Sequence, residues 1–249
     1  MLKIIVLKKT LPISILSITS IVIVLILTSS YLNRNKPDQI IHITGLGSKN
    51  FKSDLIVWSG SFNRKELELD EAYSLIRRDR EIIREYLNRK GVPNGEIAFS
   101  SVSINKESKS IFDDDGDYQG TEFTGYRLTQ TVTLESLRVD DIEQLSRDIS
   151  EIINDGVEFY SYSPSYYYTK LAELKIEMVA AATEDARIRA EQIAFNSDAG
   201  LGKLKKAQMG VFQIIAQNSN DDYSWGGSFN TSSKMKTATI TMRLQFGID

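Results

Sequence analysis

The stretch Lys236–Phe246 most constrains what this chain can fold into. Ala238, Ile240, Met242, Leu244 and Phe246 alternate with Thr237, Thr239, Thr241, Arg243 and Gln245. Strict alternation puts every apolar side chain on one face of an extended strand and every polar one on the other. Such a strand needs a sheet with one face covered and one face wet, which antiparallel sheets provide. The covering layer is legible elsewhere. Glu68–Lys90 carries Ala72, Leu75, Ile76, Ile82, Ile83, Tyr86 and Leu87 at helical spacing, and Gly91 and Pro93 stop it. Val139–Asn154 repeats the pattern with Ile142, Leu145, Ile149, Ile152 and Ile153, ended by Asp155-Gly156. Tyr168–Asp198 carries a longer stripe through Leu171, Leu174, Met178, Ala182, Ala186, Ala190 and Ile193.

Further strands are expected at Gln39–Gly47, Phe51–Phe62, Glu96–Lys106, Thr121–Leu134, Val157–Ser163 and Leu204–Gln217. In the second of these Ile56, Trp58, Gly60 and Phe62 share a face. In the fourth, Tyr126, Leu128, Val132 and Leu134 lie opposite Thr129, Thr131 and Thr133. The order is strand-helix-strand-strand, an intervening helix, then strand-helix-strand-strand. The predicted fold is α+β, with antiparallel sheets and helices packed on one face.

The N-terminus is of another kind. Lys3, Lys8 and Lys9 precede a run from Thr10 to Asn33 without a charge, and Ile13–Leu27 is mostly Ile, Leu and Val. About 20 apolar residues suffice to span a bilayer, and a basic start keeps that end inside. Residues 1–36 are therefore expected to be an N-terminal transmembrane or signal helix with its linker, and residues 37–249 an extracytoplasmic domain. No Ala-x-Ala site follows the apolar run, which favours an uncleaved anchor over a cleaved signal peptide with Thr28 and Ser30 at its processing site.

Charge and composition then exclude function classes. The chain has a formal net charge of −3. Removing the leader takes away Lys3, Lys8, Lys9, Arg34 and Lys36 and no acid, so the exported part is more acidic still. An acidic domain lacks the basic footprint that nucleic-acid binding needs. With no Cys and one His in the chain, disulfides, zinc-thiolate sites, thiol nucleophiles and His-based metal clusters are excluded. His42 alternates with Ile41 and Ile43 and reads as structural. Gly45-Leu46-Gly47 reads as a turn, since a dinucleotide site needs a following helix and a third glycine. Asp113, Asp115 and Asp117 resemble the start of a calcium loop, but Tyr118 and Thr124 stand where Gly and Glu are required, so a solvated hairpin turn is expected. Arg77, Arg78, Arg80 and Arg84, interleaved with Asp79, Glu81 and Glu85, read as a solvated, paired helix face. No catalytic constellation, cofactor site or metal site is expected.

Several segments in order resemble one family: Ile41-His42-Ile43-Thr44-Gly45-Leu46-Gly47 with Asp54-Leu55, Thr124-Gly125-Tyr126-Arg127 leading into Leu128–Val132, Gly156-Val157, Ala180–Ala194 leading to Gly200-Leu201-Gly202-Lys203-Leu204, and the Thr-alternating last strand. Together they are similar to SIMPL-domain (DUF541) proteins, which include bacterial periplasmic and outer-membrane immunogenic proteins. The resemblance implies a cell-envelope protein of α+β fold, linked in some members with stress tolerance or higher assembly. It implies no catalytic residues.

Aromatic density marks the candidate interaction residues. Tyr160, Tyr162 and Tyr166–Tyr168 crowd one segment, and Tyr223, Trp225 and Phe229 sit in the polar loop Gln217–Lys234. Aromatics with a polar end favour interfaces, and core-plus-rim packing is the alternative. The leading expectation is a membrane-tethered, non-enzymatic protein that forms a homo-oligomer or binds a partner. A small-ligand-binding module gated by the aromatic loop, and a hydrolase relying on carboxylates alone, are the other readings.

Overall fold

A computed structural model of the chain describes residues 16–31, 39–219, 224 and 226–248. It forms an α+β protein with two antiparallel sheets. Residues 16–31 form helix α1, all of it exposed, including Ile18, Ile21, Ile23 and Leu25. Among the described residues no helix is long and apolar enough to cross a membrane. Part of the expected span Thr10–Leu32 lies outside the described residues.

Among the described residues ten strands follow with three more α-helices: β1 (Ile40–Lys52), β2 (Leu55–Glu66), α2 (Leu69–Arg89), β3 (Ile97–Phe99), β4 (Ser103–Phe112), β5 (Tyr118–Ser136), α3 (Val139–Asp148), β6 (Phe159–Ser161), β7 (Ser165–Tyr167), α4 (Leu171–Asn196), β8 (Leu201–Met209), β9 (Gln213–Ala216) and β10 (Met235–Ile248). One sheet has the order β1-β10-β8, with β9 also pairing β10. The other has the order β3-β5-β2-β6, with β4 alongside β5 and β7 alongside β2.

The chain divides into two compact units. The larger comprises Thr44–Arg189 and Gln208–Arg243 and holds the whole six-stranded sheet. Its core packs Ile56, Trp58 and Phe62 of β2 and Leu128, Val132 and Leu134 of β5 against Ile76, Ile83 and Leu87 of α2 and Ile142 and Leu145 of α3. The two helices thus cover one face, as the alternation requires, and the Thr129, Thr131 and Thr133 face stays part-exposed. The smaller unit comprises Met1–Ile43, Ala190–Ala207 and Leu244–Asp249. Within it the Ile248 N–H donates to the Gln39 carbonyl at 3.0 Å.

Several expectations need correction. Gly45-Leu46-Gly47 is not a turn but the middle of β1. A Cβ at Gly45 would lie 2.0 Å from the Ala182 carbonyl oxygen, and one at Gly47 2.5 Å from that of Met178. The glycines therefore let helix α4 approach the strand. The α4 stripe keeps strict fourfold spacing through Leu174, Met178, Ala182, Ala186, Ala190 and Ala194, and Ile193 points outward. Two expected strands, Glu96–Lys106 and Leu204–Gln217, are each broken in two. The Glu96–Lys106 strand breaks at Ser100, whose N–H donates to Thr131 O and whose Oγ accepts from Thr131 N–H. Gly210 lies between β8 and β9, while the strand expected over Val157–Ser163 shortens to β6, and β7 beyond Pro164 is an additional strand. The helix expected over Val139–Asn154 tightens into a 3₁₀ segment, Ile149–Asp155, ended by left-handed Gly156.

The arginine-rich helix face is only partly solvated. Asp79 is buried, and Arg64 of β2 donates to both its carboxylate oxygens, at 2.5 and 2.8 Å. Arg84 does pair along the helix, with Glu81, and it also stacks with Arg80 over the Phe99 ring.

Candidate interaction surface

The tyrosine segment divides by strand geometry. Phe159 and Ser161 of β6 face the helices, where Ser161 Oγ donates to Ser146 O and accepts from Trp58 Nε1. Tyr160 and Tyr162 face the opposite way and are half-exposed. Their hydroxyls are engaged, Tyr160 with Glu158 and Tyr162 with Ser61 Oγ at 2.8 Å. Tyr166 is different. It is buried, and its hydroxyl donates to Glu143 Oε1 at 2.9 Å. Burial, and then the Glu143 carboxylate, push its pKa up to about 12. Of these candidates, Tyr160 and Tyr162 belong to a surface and Tyr166 to the interior.

The loop aromatics separate as well. Tyr223 and Trp225 lie outside the described residues. Phe229 is exposed and makes an isolated bridge to Ile214, and the Lys236 ammonium sits 5.7 Å over its ring. Lys236 is a residue the alternation pattern hid, because it falls in the buried phase of β10 just before the apolar run. It is 1% exposed. Its Nζ donates to the carbonyls of Tyr166, at 2.7 Å, and Asn230. Burial pulls its pKa down to about 8.

Beyond Glu66, β2 no longer accompanies β5. The register pairs Glu66 with Tyr126 and ends there, while β4 and β5 continue together to Phe112 and Tyr118. Residues 107–125 thus form a two-stranded ribbon beyond the sheet. Ile111, Phe112, Tyr118 and Phe123 along this ribbon, and Ile104 on β4 just before it, are each at least 42% exposed. Its base is tied by charge. Glu107 receives Arg127, which also donates to Asn63 Oδ1 at 2.8 Å, and Lys65 at 2.7 Å. The Arg127 guanidinium and then Lys65 hold the Glu107 carboxyl down to about 2. Its tip is the expected hairpin turn, Asp113–Asp117. There the Asp113 carboxylate accepts the N–H groups of Asp115 and Asp117 and the Gln119 amide. Sequence reading missed this surface because β4 has no apolar face.

One cleft of about 400 Å³ is lined by Leu46, Val211, Gln213, Ser224, Thr239, Ile240 and Thr241. Gln213 is buried; its Nε2 donates to Ser224 O at 2.6 Å, and among the described residues its Oε1 has no hydrogen-bond partner. Among the described residues no cluster of three or more His, Cys, Asp or Glu is placed to hold a metal ion.

Two antiparallel sheets with helices on one face, a projecting ribbon and a Gly-x-Gly strand under an alanine-striped helix define an α+β domain of the kind the sequence resembles. The family comparison agrees: residues 41–245 match SIMPL, described as a protein of unknown function (DUF541). The chain belongs to that family. No curated protein matches it.

Proposed function

We propose that this protein is a membrane-tethered, extracytoplasmic, non-enzymatic module that acts by associating with further copies of itself, with envelope stress tolerance as its setting. The observation that carries this reading is the β4–β5 ribbon. A two-stranded hairpin has little stability of its own in water, and exposed apolar side chains beside unpaired strand edges favour association. The tether rests on the basic start, the uncharged run after it and the exposed apolar surface of α1. Sedimentation of the full chain in mild detergent over a range of concentrations tests the association, and alkaline extraction of membranes tests the tether. A chain that stays monomeric at high micromolar concentration overturns the first, and one released by alkali overturns the second.

The Gln213 carbonyl, without a partner among the described residues, supports a second reading, a small-ligand-binding module. A buried acceptor without a partner costs stability, and a ligand that donates a hydrogen bond there would recover it. A screen for small molecules that raise the melting temperature of the wild type, but not of Gln213→Leu, tests it.

A further inference from the structure

We infer that two copies of this chain pair through the outer edge of β4, antiparallel about a two-fold axis, with each Ser108 facing its own copy. The inference rests on the self-association proposed above and specifies its contact.

The ribbon offers two open edges, and they differ. On β5 the register skips Thr124, between Gly125 and Phe123, and Gln119, between Gly120 and Tyr118. Each skip is an extra residue on β5, and Gly125 and Gly120 beside them have positive φ, 129° and 132°. Bulges of this kind interrupt the backbone ladder and bend the strand. β4 carries no extra residue from Ser103 to Phe112. All of it is exposed except half-buried Glu107, and among the described residues it pairs only with β5. It is therefore the continuous template for a further strand.

Symmetry and charge select the register. An antiparallel ladder alternates hydrogen-bonded and non-hydrogen-bonded pairs. A two-fold axis must therefore pass through the middle of one pair, so some residue faces its own copy. Centring on Lys106, Glu107 or Lys109 sets like charges directly opposite, which is destabilising. Centring on Asn105 or Ser110 leaves only a short overlap before the strand ends. Centring on Ser108 pairs Ile104 with Phe112, Asn105 with Ile111, Lys106 with Ser110 and Glu107 with Lys109, each twice. Among the centres that set no like charges opposite, this arrangement gives the longest overlap, with opposite charges on one face and an apolar pair at each end. Lysines on an edge strand ordinarily discourage pairing; here Lys109 gains a carboxylate and Lys106 meets a hydroxyl. Glu107 keeps Arg127 and Lys65. Glu122, which lies across from Lys109 within each hairpin, offsets the added positive charge.

The chain has no Cys, so a single introduced thiol reports the register without background. Opposed residues in an antiparallel pair lie within disulfide reach. Full-length Ser108→Cys, treated with diamide in mild detergent, should form a disulfide-linked dimer at least tenfold faster than Asn105→Cys, whose two copies would stand about 20 Å apart. Lys109→Glu should raise the dimer dissociation constant about tenfold. If the wild type associates but Ser108→Cys links no faster than Asn105→Cys, this contact is wrong while self-association stands. Fastest linking by a thiol at another β4 position overturns the register. A monomeric wild type overturns both readings.

Discussion

Gly45 of β1 lies directly beneath Ala182 of α4: a methyl group on the glycine would sit 2.0 Å from the Ala182 carbonyl oxygen and 2.7 Å from the Ala186 Cβ. The contact is helix backbone against strand backbone. No flexible side chain is available to give way, so the strand and helix hold each other at a distance that only glycine permits. Asp185 adds a polar tie at the same place, accepting the Leu46 N–H at 2.9 Å.

Gly45→Ala should accordingly destabilise the protein by about 2–3 kcal/mol, the cost of overpacking a site that cannot relax. Gly95→Ala, which meets nothing within 4 Å, is the matched control and should change stability little. Urea unfolding of both variants measures the difference. Equal midpoints would refute the close packing.

The Arg64–Asp79 pair joins β2 to α2 beneath the sheet, and Arg64 also donates to the Gly156 carbonyl at 2.6 Å. Asp79→Asn leaves a partly buried guanidinium without its counter-charge, at a cost of about 3 kcal/mol. Asp79→Leu together with Arg64→Met should recover much of that loss, since apolar residues of similar volume replace buried pairs well. A double change no better than the single one would show that the pair contributes beyond filling space.

Lys236 gives the stability a pH dependence of definite sign. Burial lowers its folded pKa to about 8 from the ordinary 10.5. Between these values the unfolded chain binds more protons, so stability rises with pH, by at most about 1.4 kcal/mol per unit. Tyr166 acts in the opposite sense and higher, because its folded pKa of about 12 lies above the ordinary 10. Above pH 10 it takes stability away. Denaturation from pH 7 to 10 should therefore show a rise that Lys236→Met abolishes. A flat wild-type profile would contradict the buried ammonium.

Glu107 titrates at the acid end. Its folded pKa of about 2, against the ordinary 4.5, means that its contribution is present above pH 4.5 and is lost as pH falls toward 2. Carboxyl NMR should place its midpoint near 2, and Arg127→Gln should move it back toward 4.5. An unshifted midpoint in the wild type would dissolve the ion cluster at the ribbon base.

Much of the fold was legible because its signals are local. The 3.6-residue period of Ala72, Ile76, Ile83 and Leu87 reports a helix against a core wherever that core lies. The period of two in Ala238–Phe246 likewise reports a half-buried strand. Gly156 ends its segment because only a left-handed residue fits there.

What the sequence determined by itself, then, was the type of most elements, the buried phase of the strongly periodic ones, the resemblance to SIMPL proteins and the absence of Cys. Tertiary structure decided the rest, because each remaining feature depends on a partner distant in the chain. Gly45 and Gly47 looked like a turn until α4 supplied the backbone they must admit. Asp79 looked solvated until Arg64 met it, and the burial of Lys236, which opens the alternating run, shows only where the Tyr166 and Asn230 carbonyls receive it. Tyr160 and Tyr166 looked alike until β2 set one outward and one inward. Pairing of β1 with β10, the first strand with the last, was likewise not written in either segment, since a strand's alternation fixes which face is buried but not which edge it joins.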